Sequence, residues 1–480
     1  MDFGLFELQF YFYFVIFVPL CVLLVNLFKF ISKSLVFQQL RKDPSPVLIK
    51  NYELSSNSNL LDYLDEFKKA DYVCKYTSSK SDFNLGKPHL HFFSSLPDKA
   101  FSKHKLEKKT FYKKWPNKDY FMGSKVGYTI ASFLHATAPN TLQEIQHIIH
   151  EKISEDNELF LENAIRRYYG EAAKNDPDFC KAVEQLLNQS LSYGEKCINQ
   201  LLKFRKLDYK NGRDYLRNFV IKGKFQELNK NTFEENECIT SILLQNQEEL
   251  GIPNDIFYTS LPNHFYLYIF NIGNQLANFF IDISLNQNVF KKLEDEQREI
   301  MEMYGNEITI NLLDKMIYLD AAITETIRFG SSIMSMKQAS CNIYLPNGVL
   351  VSKGSLTKFN VLSYNRSSDI FLNLQHDYIP ERHIKLGTKL DEASKTNLAW
   401  GLGRQCPYKK YVSVFMKLFT STIIRSYEVS QRNENNEIEH DGYFFGQKPY
   451  VKESLRLAPD IVARVETIEQ GFDCFVTFGT

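Results

Sequence analysis

The stretch that most constrains this chain is residues 397–410, which read Asn-Leu-Ala-Trp-Gly-Leu-Gly-Arg-Gln-Cys-Pro-Tyr-Lys-Lys. Gly401 and Gly403 permit backbone conformations that residues with a Cβ avoid, so the segment reads as a tight loop. Pro407 suits the first turn of a helix, where its missing N–H costs nothing. The apolar density of residues 411–424 predicts a buried helix beyond it. A thiol at such a helix start sits at the positive end of the macrodipole, so the Cys406 thiolate is favoured and is a good soft metal ligand. Taken alone, the loop serves equally well as the packing of one cysteine among eight.

The eight cysteines are Cys21, Cys74, Cys180, Cys197, Cys238, Cys341, Cys406 and Cys474, with no CxxC pair and no zinc-like spacing. In a chain of 480 residues this argues against a disulfide framework and for a reducing compartment. A net charge of +0 and a pI near 7.1 leave no electrostatic reason to expect nucleic acid as a partner. Thirty-nine Phe and 27 Tyr supply enough apolar surface for a large core.

Residues 10–28 contain no charge, and Asn26 is their only strongly polar side chain. As a helix they match a bilayer core of ~30 Å, with Pro19 tolerated there. Lys29, Lys33, Arg41 and Lys42 follow the run, while Asp2 and Glu7 precede it. The positive-inside rule then places the bulk of the chain in the cytosol. A cleaved signal peptide fits less well, because the basic residues lie after the run and no A-x-A site follows. The expected organisation is a single-pass transmembrane signal anchor at 1–31 in the endoplasmic reticulum membrane, a linker at 32–50 that includes Pro44 and Pro46, and a catalytic domain at 51–480.

Within that domain, residues 140–250 carry apolar spacings of three and four and read as helical. Residues 264–285, just after Pro262, form a long apolar helix interrupted by Asn271, Asn274, Gln275, Asn278 and Asp282. Those polar positions largely share one face, which fits a helix crossing a large domain better than a second membrane span. A charged helix follows at 291–306 and a further helix at 309–329. The pair Asn347-Gly348 between short apolar runs predicts a hairpin. The basic run 103–114 reads as a solvated or membrane-facing surface. The fold class is mainly α with small β-sheets, concentrated in the last third.

Three further features accompany Cys406. Glu325 and Arg328 lie three apart on a helix and can pair. Pro380, Glu381, Arg382 and His383 put a second arginine after a proline turn. Arg404 stands two residues before the cysteine. In this order the set resembles the cytochrome P450 family: Glu325 and Arg328 match its ExxR motif, Pro380 to His383 its PERF motif with His for Phe, and Trp400 to Tyr408 its cysteine loop. The resemblance implies a helix-rich fold around haem b, with Cys406 as axial iron ligand. Arg404 and Lys337 would pair with the haem propionates, and Glu325, Arg328 and Arg382 would form the buried triad that holds the cysteine loop.

Three departures stand out. The loop is one residue shorter than the family pattern before Arg404, and Tyr408 replaces the glycine two residues after the cysteine. In the central helix, where the family usually carries an acid–threonine pair, the matching residues are Asn274 and Gln275. Neither can supply a proton as an acid would. Asparagine at this point and Trp400 for Phe are similar to the branch containing prostacyclin synthase and the sterol 7α- and 12α-hydroxylases. The resemblance implies a monooxygenase, and the membrane anchor and aromatic-rich chain suggest an apolar substrate, such as a sterol or fatty-acyl chain, reached from the membrane lipid. Electrons would come from NADPH-cytochrome P450 reductase, docking near Lys409 and Lys410. Two alternatives stay open: a haem-thiolate isomerase or dehydratase acting on a peroxide, and a non-catalytic member of the family.

Overall fold

The computed structural model describes residues 80–102, 130–136, 159–187, 204–221, 238–248 and 254–430, with short interruptions that include 331–335 and 403–404. It also describes a helical turn at 23–26 and strands at 46–49, 72–77, 440–444, 448–451, 462–467 and 473–477. The expected anchor at 10–28 lies outside these residues except for that turn, whose Leu23, Leu24 and Val25 are exposed. Among the described residues no helix is long and apolar enough to cross a membrane.

The strands before the helical body are β1 (Pro46–Ile49), β2 (Tyr72–Thr77) and β3 (Lys80–Leu85). The short helix α1 (Leu90–Ser95) and β4 (Phe101–Ser102) follow. Helices α2 (Leu159–Tyr169), α3 (Pro177–Leu187), α4 (Phe204–Ile221) and α5 (Ile239–Gln245) lead to α6 (Asn254–Leu285). Then come α7 (Gln287–Tyr304), α8 (Ile317–Gly330), β5 (Met336–Ala339), β6 (Ile343–Tyr344), β7 (Leu350–Val351) and β8 (Leu356–Phe359). Two more helices are α9 (Glu381–Leu386) and α10 (Lys409–Ser426). The remaining strands are β9 (Tyr427–Ser430), β10 (His440–Phe444), β11 (Lys448–Val451), β12 (Val462–Thr467) and β13 (Asp473–Thr477). The helix-rich expectation holds; small sheets do fall in the last third, but four strands of the largest sheet, β1 to β4, come from residues 46–102.

Helix α6 is the axis of the body. Leu261, Phe265, Tyr268, Ile272, Leu276, Phe279 and Ile283 are all buried, in steps of three and four. The expected start after Pro262 is corrected: the helix begins at Asn254 and runs through the proline. Pro262 is itself buried, so packing of the apolar face outweighs a local cost of roughly 3 kcal/mol. The helix at 309–329 also divides, into one turn at Ile310–Leu313 and α8. Helix α10 packs beside α6, with Tyr411, Phe415, Met416, Leu418 and Ile423 in the same core.

Helices α3 and α4 cross at Gly212. A Cβ there would lie 2.4 Å from the Ala182 carbonyl oxygen and 2.8 Å from the Leu186 backbone nitrogen. Both obstacles are backbone, so the helices themselves must part. Gly212→Ala is expected to cost about 1–3 kcal/mol, the range for overpacked cores, read as a lower thermal midpoint. An unchanged midpoint would show that the crossing opens freely.

A six-stranded sheet runs in the order β1-β2-β3-β8-β5-β4, with β3 parallel and β5 antiparallel to β8. The end of the stretch read as a linker thus joins the sheet as β1, parallel to β2. Its Val, Leu and Ile suit a strand better than a solvated connection. The hairpin predicted at Asn347-Gly348 is present between β6 and β7. Gly348 adopts φ +86, and its N–H donates to the Leu345 carbonyl at 2.8 Å, a conformation that favours glycine.

Candidate functional site

Glu325 and Arg328 occupy one face of α8, as their spacing predicts, and are almost fully buried. Arg328 Nε donates to Glu325 Oε2 at 2.7 Å and Nη2 to Oε1 at 2.9 Å, a two-pronged pairing. Its Nη1 donates to the carbonyls of Asn365 and Gln375 at 2.7 and 2.8 Å, and Nη2 also reaches the Asp377 carbonyl at 3.3 Å. A guanidinium has five N–H donors, and all five meet an acceptor here. Arg382, on α9, donates from Nε to Glu325 Oε1 at 2.9 Å and from its other nitrogens to the carbonyls of Phe371, Leu374 and Asp377. The three residues expected to form a triad are therefore brought together.

The cluster has a fourth member that the sequence reading noted only as a replacement for Phe. His383 is fully buried, with Nε2 2.8 Å from Glu325 Oε2. Because a carboxylate only accepts, this contact assigns the proton to Nε2. The backbone N–H of Ile379 completes the set at 2.9 Å. A polar ring directly after a buried, paired arginine was the available signal. The loop 371–377 is drawn over both guanidinia, and Leu372 and Leu374 within it hold positive φ values of 65° and 60°. Such conformations cost about 1–2 kcal/mol each for a side chain with a Cβ. The carbonyl–arginine bonds hold them in place.

Burial alone would lift the Glu325 carboxyl. The charge and hydrogen bonds of Arg328, joined by those of His383, outweigh it and bring the pKa from 4.5 down to about 2. Burial pushes His383 below its usual 6.5, against the pull of Glu325. The N-terminus of α8 is capped by Glu296 of α7, which accepts from the backbone N–H groups of Tyr318 and Leu319. Burial raises Glu296 to about 7, partly opposed by those two bonds.

These shifts act in opposite directions. Glu325 titrates lower in the folded state, so its stabilisation is complete above pH 4.5 and is lost as pH falls toward 2, on the order of 3 kcal/mol. Glu296 titrates higher in the folded state, so its contribution declines as pH rises from 4.5 to 7. Denaturant unfolding across pH should therefore show an acid limb below pH 4.5. Glu296→Gln should flatten the slope between 4.5 and 7 and leave that limb intact. A variant that also loses the acid limb would contradict the assignment.

From α9 the chain passes directly into the cysteine loop. Leu390 N–H donates to Asp320 Oδ1 at 2.8 Å, Asn397 Nδ2 to the Lys389 and Leu390 carbonyls, and Trp400 Nε1 to the Leu390 carbonyl. Gly401 takes φ +81, and Cys406 N–H donates to the Trp400 carbonyl at 2.8 Å, which closes the loop. Cys406 is a half-buried cysteine outside any disulfide, three residues before α10. Gly403 and Arg404 lie outside the described residues.

Lys337 stands on β5 opposite Thr357; its Nζ donates to the Phe93 carbonyl at 2.7 Å and lies 4.8 Å from the Phe93 ring centroid. Asn274 and Gln275 both fall in the middle of α6. Gln275 packs against Gly330 at the end of α8.

This donor set fits a haem with a single thiolate. Cys406 is presented from a closed loop at a helix start, and among the described residues no cluster of His, Cys, Asp or Glu competes as a metal site. Tyr408, bulky where the family has glycine, packs against the helical core. Its hydroxyl is raised by burial and by the neighbouring Cys406.

Such a fold and site define a protein that offers one cysteine from a closed loop, downstream of a buried ion-pair cluster. The sequence profile of the Cytochrome P450 family matches residues 274–459. Cytochrome P450 26A1 of Danio rerio is 27% identical over 143 residues, 28% of each chain. Probable cytochrome P450 6d5 of Drosophila melanogaster is 25% identical over 180 residues, 37% of this chain and 35% of its own. The matched segments thus span about a third of the length of these relatives. Among solved structures, retinoic acid bound cyanobacterial CYP120A1 matches with a TM-score of 0.63 at 15% identity, covering 83% of this chain and 96% of that one. Over residues 274–459 the chain is thus similar to the cytochrome P450 family, whose cofactor is haem b and whose members are monooxygenases and oxidoreductases.

Proposed function

We propose that this chain is a membrane-anchored haem-thiolate monooxygenase that hydroxylates an apolar substrate of sterol or fatty-acyl type. The observation that carries this reading is the Glu325–Arg328–Arg382–His383 cluster, hydrogen-bonded to the chain that continues into the Cys406 loop. When bound through a cysteine thiolate, haem supplies activation of O₂, because the thiolate pushes electron density toward O–O cleavage. Cys406 would hold the group through its sulfur, and the Trp400 carbonyl takes up the Cys406 backbone N–H. Arg404 and Lys337 are the candidates for the propionates. At the Asn274 and Gln275 positions the chain carries neutral amides, which can hydrogen-bond but cannot supply a proton as an acid would.

Residues 10–28 anchor the chain in the endoplasmic reticulum membrane, with the domain on the cytosolic side, where substrate enters from the lipid. Lys409 and Lys410 lie just past the ligand and favour docking of an acidic surface of NADPH-cytochrome P450 reductase. The structural match carries retinoic acid, an apolar chain with one carboxylate, which supports the same substrate class. The test is the reduced, carbon-monoxide difference spectrum of the membrane-expressed protein, followed by reductase-dependent turnover of a fatty acid and a sterol. A red-shifted Soret band with NADPH-dependent product is the expected result. Folded protein without haem, or haem with no reductase-dependent turnover, overturns the reading.

A further inference from the structure

Two buried amides on α6 face the end of α8. Asn278 is fully buried, and neither its Oδ1 nor its Nδ2 has a hydrogen-bond partner among the described residues. Gln275, one helical turn earlier, has a buried Oε1 in the same condition. Both side chains meet at Gly330, the last residue of α8. A Cβ on Gly330 would lie 3.0 Å from Asn278 Nδ2 and 3.0 Å from Gln275 Oε1. The three positions therefore adjoin one another between the helices, where glycine keeps the volume of a Cβ clear of both amides.

The same polar stripe is satisfied one turn further along. Thr326 Oγ1 donates to Asp282 Oδ2 at 2.7 Å and lies 3.1 Å from the Tyr378 hydroxyl, which donates to the Ala322 carbonyl at 2.8 Å. Native interiors rarely leave buried amide groups unpaired, because each forfeits its hydration. Leucine would fill nearly the same volume without that penalty. The unpaired atoms therefore select an occupant by its chemistry. They offer two acceptors, Gln275 Oε1 and Asn278 Oδ1, and one donor, Asn278 Nδ2. All are neutral. An occupant must donate twice, accept once and carry no charge. A hydroxyl donates only once, and an ammonium accepts nothing. Water meets all three conditions, and a buried water typically makes about three such bonds.

We propose that Gln275, Asn278 and Gly330 form a buried binding site for one water molecule that bridges α6 and α8. The bridge ties the central helix to the helix carrying Glu325 and Arg328, two residues from Arg328 itself. It also sets an exchangeable proton beside Gln275, in a segment with neither threonine nor acid. The site follows from the two amides and Gly330, whatever group Cys406 holds.

The test is a double-mutant cycle on the full-length protein, with Asn278→Leu, Gln275→Leu and the pair, read as thermal midpoints. Each single change is expected to lower the midpoint by on the order of 2 °C. The pair should lose clearly less than the sum, because either change alone removes the shared water. A midpoint that rises in each leucine variant would mean the amides were simply unsatisfied, and strictly additive losses would mean they act separately. Either result overturns the proposal. If the variants do not fold, a crystal structure of the wild-type protein decides it. A density peak at roughly 2.7–3.2 Å from all three atoms supports the site. Amides bonded elsewhere, or density too large for water, overturns it.

Discussion

Replacing Arg328 by alanine should leave no soluble, haem-loaded protein. Glu325 would keep its charge in a fully buried site with Arg382 and neutral His383 as its remaining side-chain partners. Breaking a buried ion pair by removing one partner costs about 3–5 kcal/mol. The carbonyls of Asn365, Gln375 and Asp377 would each lose a charged donor as well. Hydrogen bonds to charged groups are worth roughly 1.5–3 kcal/mol each. Set against a total stability of about 5–15 kcal/mol, the combined loss is disabling even with partial relaxation. Arg328→Lys should recover little, because an ammonium has three donors and cannot span both carboxylate oxygens in the same plane. The measurement is soluble yield together with the haem-to-protein ratio. Normal haem loading in the alanine variant would show that the cluster does not hold the cysteine loop.

The second large effect separates ligand from scaffold. Cys406→Ala should abolish the red-shifted carbon-monoxide band while far-UV circular dichroism stays that of the wild type. The loop is closed by backbone and by other side chains: Cys406 N–H to the Trp400 carbonyl, Gly401 N–H to the Leu398 carbonyl, and Asn397 to Lys389 and Leu390. None of these bonds uses the thiol. Its loss should therefore remove the metal ligand and leave the loop and α10 folded. An unchanged band in this variant would sink the assignment of Cys406, and a collapsed fold would show that the thiol is structural.

The contrast between these two variants follows from where each side chain sits. Arg328 satisfies carbonyls from three residues far away in sequence, so its removal spreads. Cys406 is half-buried at a loop end, so its removal stays local. The strained pair Leu372 and Leu374 belongs to the first case, since their carbonyl-rich loop is held over Arg328 and Arg382. Loss of either arginine releases that loop.

Local pattern in the chain determined a good deal by itself. The three-residue spacing of Glu325 and Arg328 required one helix face, and the apolar periodicity of α6 and α10 required buried helices. Asn347-Gly348 required a tight turn, and the glycines around Cys406 required a compact loop. Each of these depends on bonds or sterics within a few residues, which a sequence states directly. Only the tertiary structure decided the rest. It carried α6 back through Pro262, because burial of its apolar face outweighs a lost backbone bond. It turned His383 into a donor to Glu325 and supplied carbonyls from residues 365–377 to both guanidinia. It set Gln275 and Asn278 against Gly330 of another helix. These outcomes depend on which distant groups meet in a dry interior, where every donor and acceptor has to be matched, and no local spacing encodes that meeting.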